Sequence, residues 1–217
     1  PNNPPVPQQT QKYIKSVFNN MFVAKKVTSN NIQPVIQRID WLTNVTYDYY
    51  RDDVDMTEKD SNGNVVYLFY VKNKYDQVFK CLWNNNGAAS TEEPFFKPGN
   101  YGTNNIFQDV DGYKWKYMYT ISGGLKQKFF TDQWMPVATD MAVLDAAVHG
   151  RIDIVLIQNS GNGYNSNVAT SNAAILTVTG DGSGANIVAQ VDSTGAIIGY
   201  QILNGGQGYT YATINVN

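Results

Sequence analysis

The sequence predicts a mainly β protein, in which a β-sandwich-like domain with one or two short helices precedes a smaller glycine-rich domain of repeated strands. Three observations predict this fold class. From an Asp-Gly turn at residue 111, aromatic side chains recur at nearly every second position, as in a half-buried strand. From residue 40 onward, β-branched and aromatic stretches alternate with polar turns. A turn motif near residue 160 returns 45 residues later.

The composition narrows the classes of function. The 217 residues carry a formal net charge of -2, and 16% of them are charged, so the overall charge favours neither nucleic acid nor an anionic membrane as a partner. The single cysteine, Cys81, excludes an internal disulfide and a cysteine-based zinc site, and we expect it to be a small buried apolar residue. No stretch approaches the roughly 20 apolar residues of a membrane span. We therefore expect a protein of the reducing cytoplasm that binds neither nucleic acid nor membranes.

Residues 1–22 are predicted to form an extended leader and an amphipathic helix. Four prolines among the first seven residues favour extended backbone. After them, apolar residues recur at the spacings of three and four that are typical of one helix face. They are Ile14, Val17, Phe18, Met21 and Phe22. Capping residues between Thr28 and Asn31 then predict a second short element before Pro34.

Residues 23–149 are predicted to form the β-rich domain. Val65 to Val71, which follows an Asn-Gly turn, and Val78 to Trp83 predict the two strands of a hairpin. Residues 84–105 lack periodicity and predict a long loop, which in a compact domain is usually functional. Its aromatic residues Phe95, Phe96 and Tyr101 are therefore candidates for contact with a partner. Ser122 predicts the cap of a short helical turn further on.

The run that begins at Asp111 and Gly112 is the most specific pattern in the chain. Asp-Gly favours a tight turn, because glycine tolerates positive φ and aspartate bonds to nearby backbone. Alternation after the turn then predicts one face of large rings and an opposite face of two lysines and a methionine. The rings are those of Tyr113, Trp115, Tyr117 and Tyr119, and the opposite face holds Lys114, Lys116 and Met118. Such a face indicates packing in the core, and an interface is the alternative.

Residues 150–217 are predicted to form a separate domain rich in glycine and asparagine. From Gly150 onward the chain contains 11 of its 18 glycines, and Arg151 is its last basic residue. The motif Asn-Ser-Gly-Asn-Gly-Tyr at 159–164 returns as Asn-Gly-Gly-Gln-Gly-Tyr at 204–209, and an apolar stretch precedes each copy. The sequence ends where a further Gly-Asp-Gly turn is expected, so we expect the native protein to continue beyond Asn217.

The chemical motifs point away from catalysis. His149 has no second histidine or acidic neighbour in the sequence, so we interpret it as a linker residue. The acidic segment from Asp48 to Asp55 lacks the glycine and terminal glutamate of an EF-hand loop, which favours a solvated acidic turn over a calcium site. Tyr209 stands where calcium-binding nonapeptide repeats need aspartate. We therefore expect no enzymatic activity, no cofactor and no small-molecule substrate.

Several segments together carry a family resemblance. They are residues 25–28, 38–41, 47–50, 78–82 and the run from Asp111 to Ile121. Within about Val23 to Val137 the chain resembles the baseplate wedge subunit of contractile-tailed bacteriophages, the family of the gene product eight of T-even phages. The residues that mark the family are Trp41, Asp111, Gly112, Tyr113, Trp115 and Tyr117. The repeats after Arg151 resemble the Gly-Gly-x-Gly-Tyr extensions of longer marine-phage relatives.

This resemblance implies a non-enzymatic structural protein of the virion. The family suggests a homodimer within each baseplate wedge, with the other wedge proteins as partners. It also implies assembly in the host cytoplasm and participation in the baseplate rearrangement that precedes sheath contraction. The alternative is a carbohydrate-binding or adhesion module of a tail fibre or spike, in which Tyr164 and Tyr209 stack on sugars. On the opposing interpretation, these two tyrosines plug the turns of the repeat.

Overall fold

A computed structural model describes residue 6 and residues 8–97, 105–165 and 173–216. The chain divides into two compact units, of which the first ends at Pro34 and the second begins at Val35. The predicted mainly β class is confirmed, because antiparallel sheets form most of the regular structure. The predicted limits at residues 22 and 149 do not coincide with the boundary between the units. The change in composition at residue 150 therefore occurs inside a compact unit.

The first unit contains the predicted amphipathic helix, but the helix ends at Asn19, before Met21 and Phe22 of the predicted apolar face. Helix α1 spans Gln11–Asn19, and the side chain of its N-cap residue, Thr10, accepts a hydrogen bond from the backbone N–H of Tyr13 at 3.4 Å. A 3-10 turn follows at Ser29–Asn31, where the capping residues predict a second short element. No residue of α1 is buried.

The second unit contains ten strands and two short helices within the residues that the structure describes. In chain order they are β1 (Val35–Gln37), β2 (Tyr70–Lys72), β3 (Gln77–Trp83), β4 (Ile106–Gln108), β5 (Lys114–Thr120), α2 (Gly123–Phe129), β6 (Trp134–Pro136), α3 (Met141–Asp145), β7 (Leu176–Gly180), β8 (Ser183–Val191), β9 (Ile197–Gln207) and β10 (Ala212–Val216). Ser122 caps α2 as predicted, since its hydroxyl accepts a hydrogen bond from the backbone N–H of Leu125.

The main sheet is antiparallel, with the strand order β2-β3-β5-β4. Three two-stranded antiparallel ribbons accompany it, namely β1 with β6, β7 with β10, and β8 with β9. The largest buried cluster lies on the main sheet and is predominantly aromatic. The sandwich layout stays a prediction.

The predicted hairpin forms, but its first strand is shorter than expected. β2 begins at Tyr70, although the β-branched run begins at Val65. Before β2, the N–H of Leu68 donates to Asp48 Oδ2 at 2.8 Å, and the carbonyl of Leu68 accepts from the N–H of Asp48 at 3.1 Å. On the side of β3, the carbonyl of Cys81 accepts from the N–H of Tyr50 at 2.8 Å. Segments distant in the sequence therefore bond to backbone groups on both sides, and local β propensity does not extend the ladder.

The aromatic strand is confirmed as β5, with one correction to its predicted face. The first three rings of the run lie in the main core cluster, whereas Tyr119 packs in a second cluster with Val78 and Met135. The pairing changes from Phe79 opposite Tyr117 to Val78 opposite Tyr119, so β5 holds one extra residue here. Such a bulge reorients the side chain that follows it, which is why Tyr119 leaves the face that strict alternation predicts.

Backbone hydrogen bonds join the two copies of the repeat. Two bonds connect the turn of each copy to the start of the other copy, and the two pairs of bonds are related by 45 residues in the sequence. They run from the N–H of Tyr209 to the carbonyl of Gly150 (3.0 Å), from Ile152 to Gly205 (2.9 Å), from Tyr164 to Gly195 (3.0 Å) and from Ile197 to Ser160 (2.9 Å). Each copy of the repeat thus binds the other through equivalent backbone hydrogen bonds. The apolar stretch of the second copy is a strand, β9, but that of the first copy, residues 152–157, is not.

Candidate functional site

The Asp-Gly turn before β5 is bound to the preceding long loop. One carboxylate oxygen of Asp111 accepts hydrogen bonds from Ser90 Oγ at 3.0 Å and from the backbone N–H groups of residues 91 and 92 at 3.0 and 3.2 Å. Gly112 has a φ of +86°, and a Cβ at this position would lie 2.7 Å from the side chain of Asn85. Asp111 and Gly112 therefore shape a turn and hold a loop, and both roles are structural.

Trp41 and Tyr113 contact the same loop. Trp41 Nε1 donates a hydrogen bond to Ser90 Oγ at 3.0 Å, and the hydroxyl of Tyr113 donates to the carbonyl of Ala88. Ser90 is completely buried. The structure thus brings three of the family-marker residues together at loop residues 88–90, and the sequence does not single out Ser90. A serine in a long polar loop gives no periodic or motif signal.

The aromatic face of β5 is occupied by other parts of the chain. Tyr113 and Trp115 are both 0% exposed, and their rings stack with centroids 5.5 Å apart. Tyr47 meets Trp115 edge-on at 5.9 Å. With no exposed ring surface, Tyr113 and Trp115 contribute to packing rather than to binding a partner.

Phe96 lies in the same core, which corrects the partner contact predicted for it. Its ring stacks on Tyr117 with centroids 4.1 Å apart, and only 7% of the residue is exposed. Phe95 is 44% exposed and meets the Tyr75 ring edge-on at 5.0 Å, so the contact predicted for Phe95 stays a prediction. Tyr101 lies outside the described residues.

The opposite face of β5 contacts the repeat region. Lys116 Nζ forms an ion pair with Asp153 at 2.6 Å, and Asp153 also pairs with Arg151 at 2.8 Å. Lys114 Nζ donates to the Tyr200 hydroxyl at 3.1 Å and lies 4.3 Å from the centroid of that ring. One strand therefore supports the aromatic core on one face and the repeat region on the other.

An apolar groove of 340 Å³ opens beside the main sheet. We define it by Ile36, Phe69, Tyr70, Met118 and Trp134, which line it together with neighbouring residues. The Trp134 ring is partly exposed, and Lys59 Nζ lies 5.7 Å from its centroid. The groove offers an apolar surface with a positive charge near one exposed ring, an arrangement that fits contact with another protein.

Lys80, which also lines the groove, has a strongly perturbed pKa. Burial, and then the charge of nearby Lys116, lower the pKa of Lys80 to about 8. Its Nζ lies 3.4 Å from the centroid of the Tyr50 ring, a cation–π contact that favours the charged form.

The first unit offers a second exposed apolar surface, the stripe of α1. We define this stripe as Ile14, Val17 and Phe18 of α1 together with Met21 and Phe22, which follow the end of the helix. Exposure ranges from 39% at Met21 to 103% at Phe22. Residues 1–34 contain four lysines and no acidic residue. An apolar stripe within a basic segment is typical of helices that bind an anionic partner.

Several side chains of the types that bind metals or act as nucleophiles form other contacts or are buried. Asp53 pairs with Arg51 at 2.6 Å, and Asp55 accepts a hydrogen bond from the Thr57 hydroxyl at 2.6 Å. Burial raises the pKa of the Cys81 thiol, which disfavours the reactive thiolate. Within the described ranges, no group of three histidine, cysteine, aspartate or glutamate residues is placed to hold a metal ion.

In the part of the chain that the structure describes, no helix combines the length and apolar character needed to cross a bilayer.

The tyrosines of the two repeat turns pack on glycines. A Cβ on Gly161 would lie 2.5 Å from Cε2 of Tyr164, and a Cβ on Gly206 would lie 2.8 Å from Cε2 of Tyr209. A Cβ on Gly182 would also lie 2.4 Å from the Tyr209 ring. This packing favours the interpretation that the tyrosines plug their turns over the alternative that they stack on sugars.

Comparisons with profiles of known families, with curated proteins and with solved structures found no match to this chain. The likeness to baseplate wedge subunits therefore rests on sequence motifs, and the function has to be argued from the geometry.

Proposed function

We propose that this protein is a structural component of a phage tail baseplate wedge, where it joins neighbouring baseplate proteins. The observation that carries the proposal is the exposed apolar stripe of α1, in which Phe18 is 68% and Phe22 is 103% exposed. Burying one such side chain against a partner contributes about 1.5–3 kcal/mol. Because the segment is basic throughout, the partner surface that fits the stripe combines an apolar groove with carboxylates.

The organisation of the second unit supports a scaffold role. The residues that carry the family resemblance are used internally, since Trp41, Asp111 and Tyr113 meet around Ser90 and the aromatic face of β5 is covered. The apolar groove beside the main sheet remains as a second candidate contact surface. A joining protein needs several separate contact surfaces on a stable body, and these features agree with that requirement.

The proposal has specific consequences for assembly. The chain is a homodimer in each wedge, contacts other wedge proteins and is located in the tail of the virion. It moves with its neighbours when the baseplate rearranges before sheath contraction, and it performs no catalysis.

Phage particles assembled with variant chains test the proposal. In a phage that encodes this chain, Phe18→Ser combined with Phe22→Ser is expected to lower the number of complete baseplates, counted by electron microscopy, by about tenfold or more. A factor of ten corresponds to about 1.4 kcal/mol, less than the burial of one large apolar side chain contributes. The matched control changes the polar face of the same helix, Ser16→Ala with Asn19→Ala, and assembles normally.

Two results would contradict the proposal. One is that mass spectrometry of purified virions fails to detect the chain. The other is that the Phe18 and Phe22 double variant forms baseplates as often as the unaltered protein.

A further inference from the structure

A shallow cleft with both polar and apolar lining lies where the two copies of the repeat meet. Its volume is 410 Å³, and six of its lining residues are His149, Asp181, Gly182, Ser183, Gln207 and Gly208. We call it the seam cleft, because the N–H of Gly208 in the second copy donates to the carbonyl of His149, just before the first copy, at 2.9 Å. Sites for small ligands in proteins commonly have volumes of about 300–1,000 Å³, so the seam cleft falls within that range.

The few residues that line the seam cleft carry several kinds of polar side chain. An imidazole, a carboxylate, a hydroxyl and an amide come from His149, Asp181, Ser183 and Gln207. Together they supply both donors and acceptors of hydrogen bonds. Glycine at position 182 is required, since a Cβ there would lie 2.4 Å from the ring of Tyr209.

The carboxylate of Asp181 is held in place by the chain that follows the second turn. It accepts hydrogen bonds from the N–H of Thr210 at 2.9 Å, from the Thr210 hydroxyl at 2.5 Å and from the N–H of Tyr211 at 3.3 Å. These bonds, that of the Thr210 hydroxyl first, lower the pKa of Asp181 to about 2. An ionised carboxylate only accepts hydrogen bonds, so Asp181 offers its cleft-lining oxygens to donors.

The charge of the surrounding chain selects the class of ligand. After Arg151, the sequence contains Asp153, Asp181 and Asp192 but no lysine, arginine or glutamate. Arg151 itself pairs with Asp153. Phosphate, sulfate and carboxylate ligands need cationic partners, and after Arg151 the repeat region contains no lysine or arginine to supply one. The surroundings therefore favour a neutral ligand.

We infer that the seam cleft binds a neutral saccharide, with one sugar hydroxyl donating to Asp181 and neighbouring hydroxyls bonding to Ser183 and Gln207. A sugar ring presents several adjacent hydroxyls that donate and accept, which matches the mixture of groups in the cleft. The contact is polar and does not use the faces of Tyr164 and Tyr209. None of the lining residues belongs to α1 or to the lining of the apolar groove, so the site adds a binding activity to the proposed structural role.

A pair of equivalent positions gives a matched test on the full chain. Gln207 lines the cleft, and Asn162 occupies the same position of the other turn, 45 residues earlier, outside the cleft lining. Binding is measured with an array of neutral, sialylated and sulfated glycans, and affinities with saturation-transfer NMR. The unaltered protein is expected to bind neutral glycans. Gln207→Ala weakens that binding by about five- to tenfold, the effect of losing one or two hydrogen bonds, and Asn162→Ala leaves it unchanged.

His149→Ala provides a second variant, and circular dichroism checks that each variant is folded. Three results would overturn the inference. They are the absence of neutral-glycan binding at millimolar concentrations, a preference for anionic glycans, and equal affinities of the Gln207→Ala and Asn162→Ala variants. The assembly test is independent of these results, because Gln207 lies outside the stripe of α1.

Discussion

The main sheet and the repeat region belong to one compact unit, but different kinds of packing stabilise them. In the main sheet, large side chains fill the interior, and Phe79, Tyr113 and Trp115 are each 0% exposed. Among the described residues of the repeat region, the buried apolar side chains are small or aliphatic, such as Ala173 and Ile187. There the backbones themselves approach closely at glycines. The main sheet is therefore stabilised by large buried side chains. The repeat region instead needs glycines, whose lack of a side chain lets the backbones approach closely.

Removing a core ring is expected to have the largest effect. Trp115→Ala should lower the free energy of unfolding by about 3–5 kcal/mol, because it leaves a cavity in a fully buried aromatic cluster. Trp134→Ala is the control, since Trp134 is 39% exposed, and its loss should be less than half as large. Urea denaturation followed by circular dichroism measures both. Equal losses would mean that the aromatic core is not the main source of stability.

Adding a methyl group at a glycine of the repeat region should have the next largest effect. This change tests whether close backbone approach stabilises that region. Gly150 has a φ of +65°, and a Cβ there would lie 2.4 Å from the backbone nitrogen of Tyr209. Gly63 has a φ of +84° with no atom within 4 Å of such a Cβ. Gly63→Ala should therefore cost only the left-handed backbone, about 1–2 kcal/mol. Gly150→Ala should cost at least about 1 kcal/mol more, because the backbones must separate.

Both glycine variants can be followed by urea denaturation. If Gly150→Ala destabilised the protein no more than Gly63→Ala, close backbone approach would not be what holds the repeat copies together.

The ion pair between the two regions should have a smaller effect. The side chains of Lys116 and Asp153 are 20% and 19% exposed, with 2.6 Å between Nζ and Oδ2. A double-mutant cycle with Lys116→Met and Asp153→Asn should give a coupling energy of about 0.5–1.5 kcal/mol, above the range of most fully exposed pairs. The cycle is needed because Asp153 also pairs with Arg151. A coupling energy near zero would show that this ion pair does not stabilise the contact between the two regions.

A separate, pH-dependent effect is expected from Asp109, a half-buried carboxyl group close to the Asp-Gly turn. Burial, and then the charges of Asp111 and Glu92, raise the pKa of Asp109 from its ordinary value of 3.8 to about 7. The folded protein therefore binds a proton more tightly than the unfolded chain, and this contribution to stability is lost as the pH rises from about 4 to 7. The Asp109→Asn variant has no carboxyl group at this position, so it does not lose this stability as the pH rises. The melting temperature of the variant should therefore exceed that of the unaltered protein by more at pH 8 than at pH 4.

The exposed Asp53 serves as the control for this pH dependence. Its hydrogen bond with Arg51 lowers the pKa of Asp53, so its contribution to stability is lost as the pH falls. Asp53→Asn should therefore show the opposite trend. A pH-independent difference between Asp109→Asn and the unaltered protein would contradict the assignment of Asp109.

Local features of the fold could be predicted from the sequence. The apolar spacing predicted α1, and Ser122 predicted the start of α2. The positive φ of Gly112 agrees with the Asp-Gly turn, and the two repeat motifs form turns joined by equivalent hydrogen bonds. These features depend on residues within a few positions of each other, so the sequence pattern contains most of the relevant information.

Long-range features could not be predicted. Phe96 is a core residue because its ring meets Tyr117, which is distant in the sequence. Ser90 gains its role from Trp41 and Asp111, which come from two other segments. The same limit applies to the candidate sites, since the seam cleft combines residues near positions 149, 182 and 207.

By itself, the sequence determined the mainly β class, the positions of the tight turns, the alternation along β5 and the equivalence of the two repeat copies. Only the tertiary structure decided that Tyr119 leaves the main aromatic cluster, that the compact units divide at Pro34 and that the lysines of β5 contact the repeat region. The physical reason is that backbone preferences act between near neighbours, whereas register and packing depend on which distant segments meet. In this chain, the candidate contact surface on α1 is a local feature, and the proposed sugar site exists only where distant segments come together.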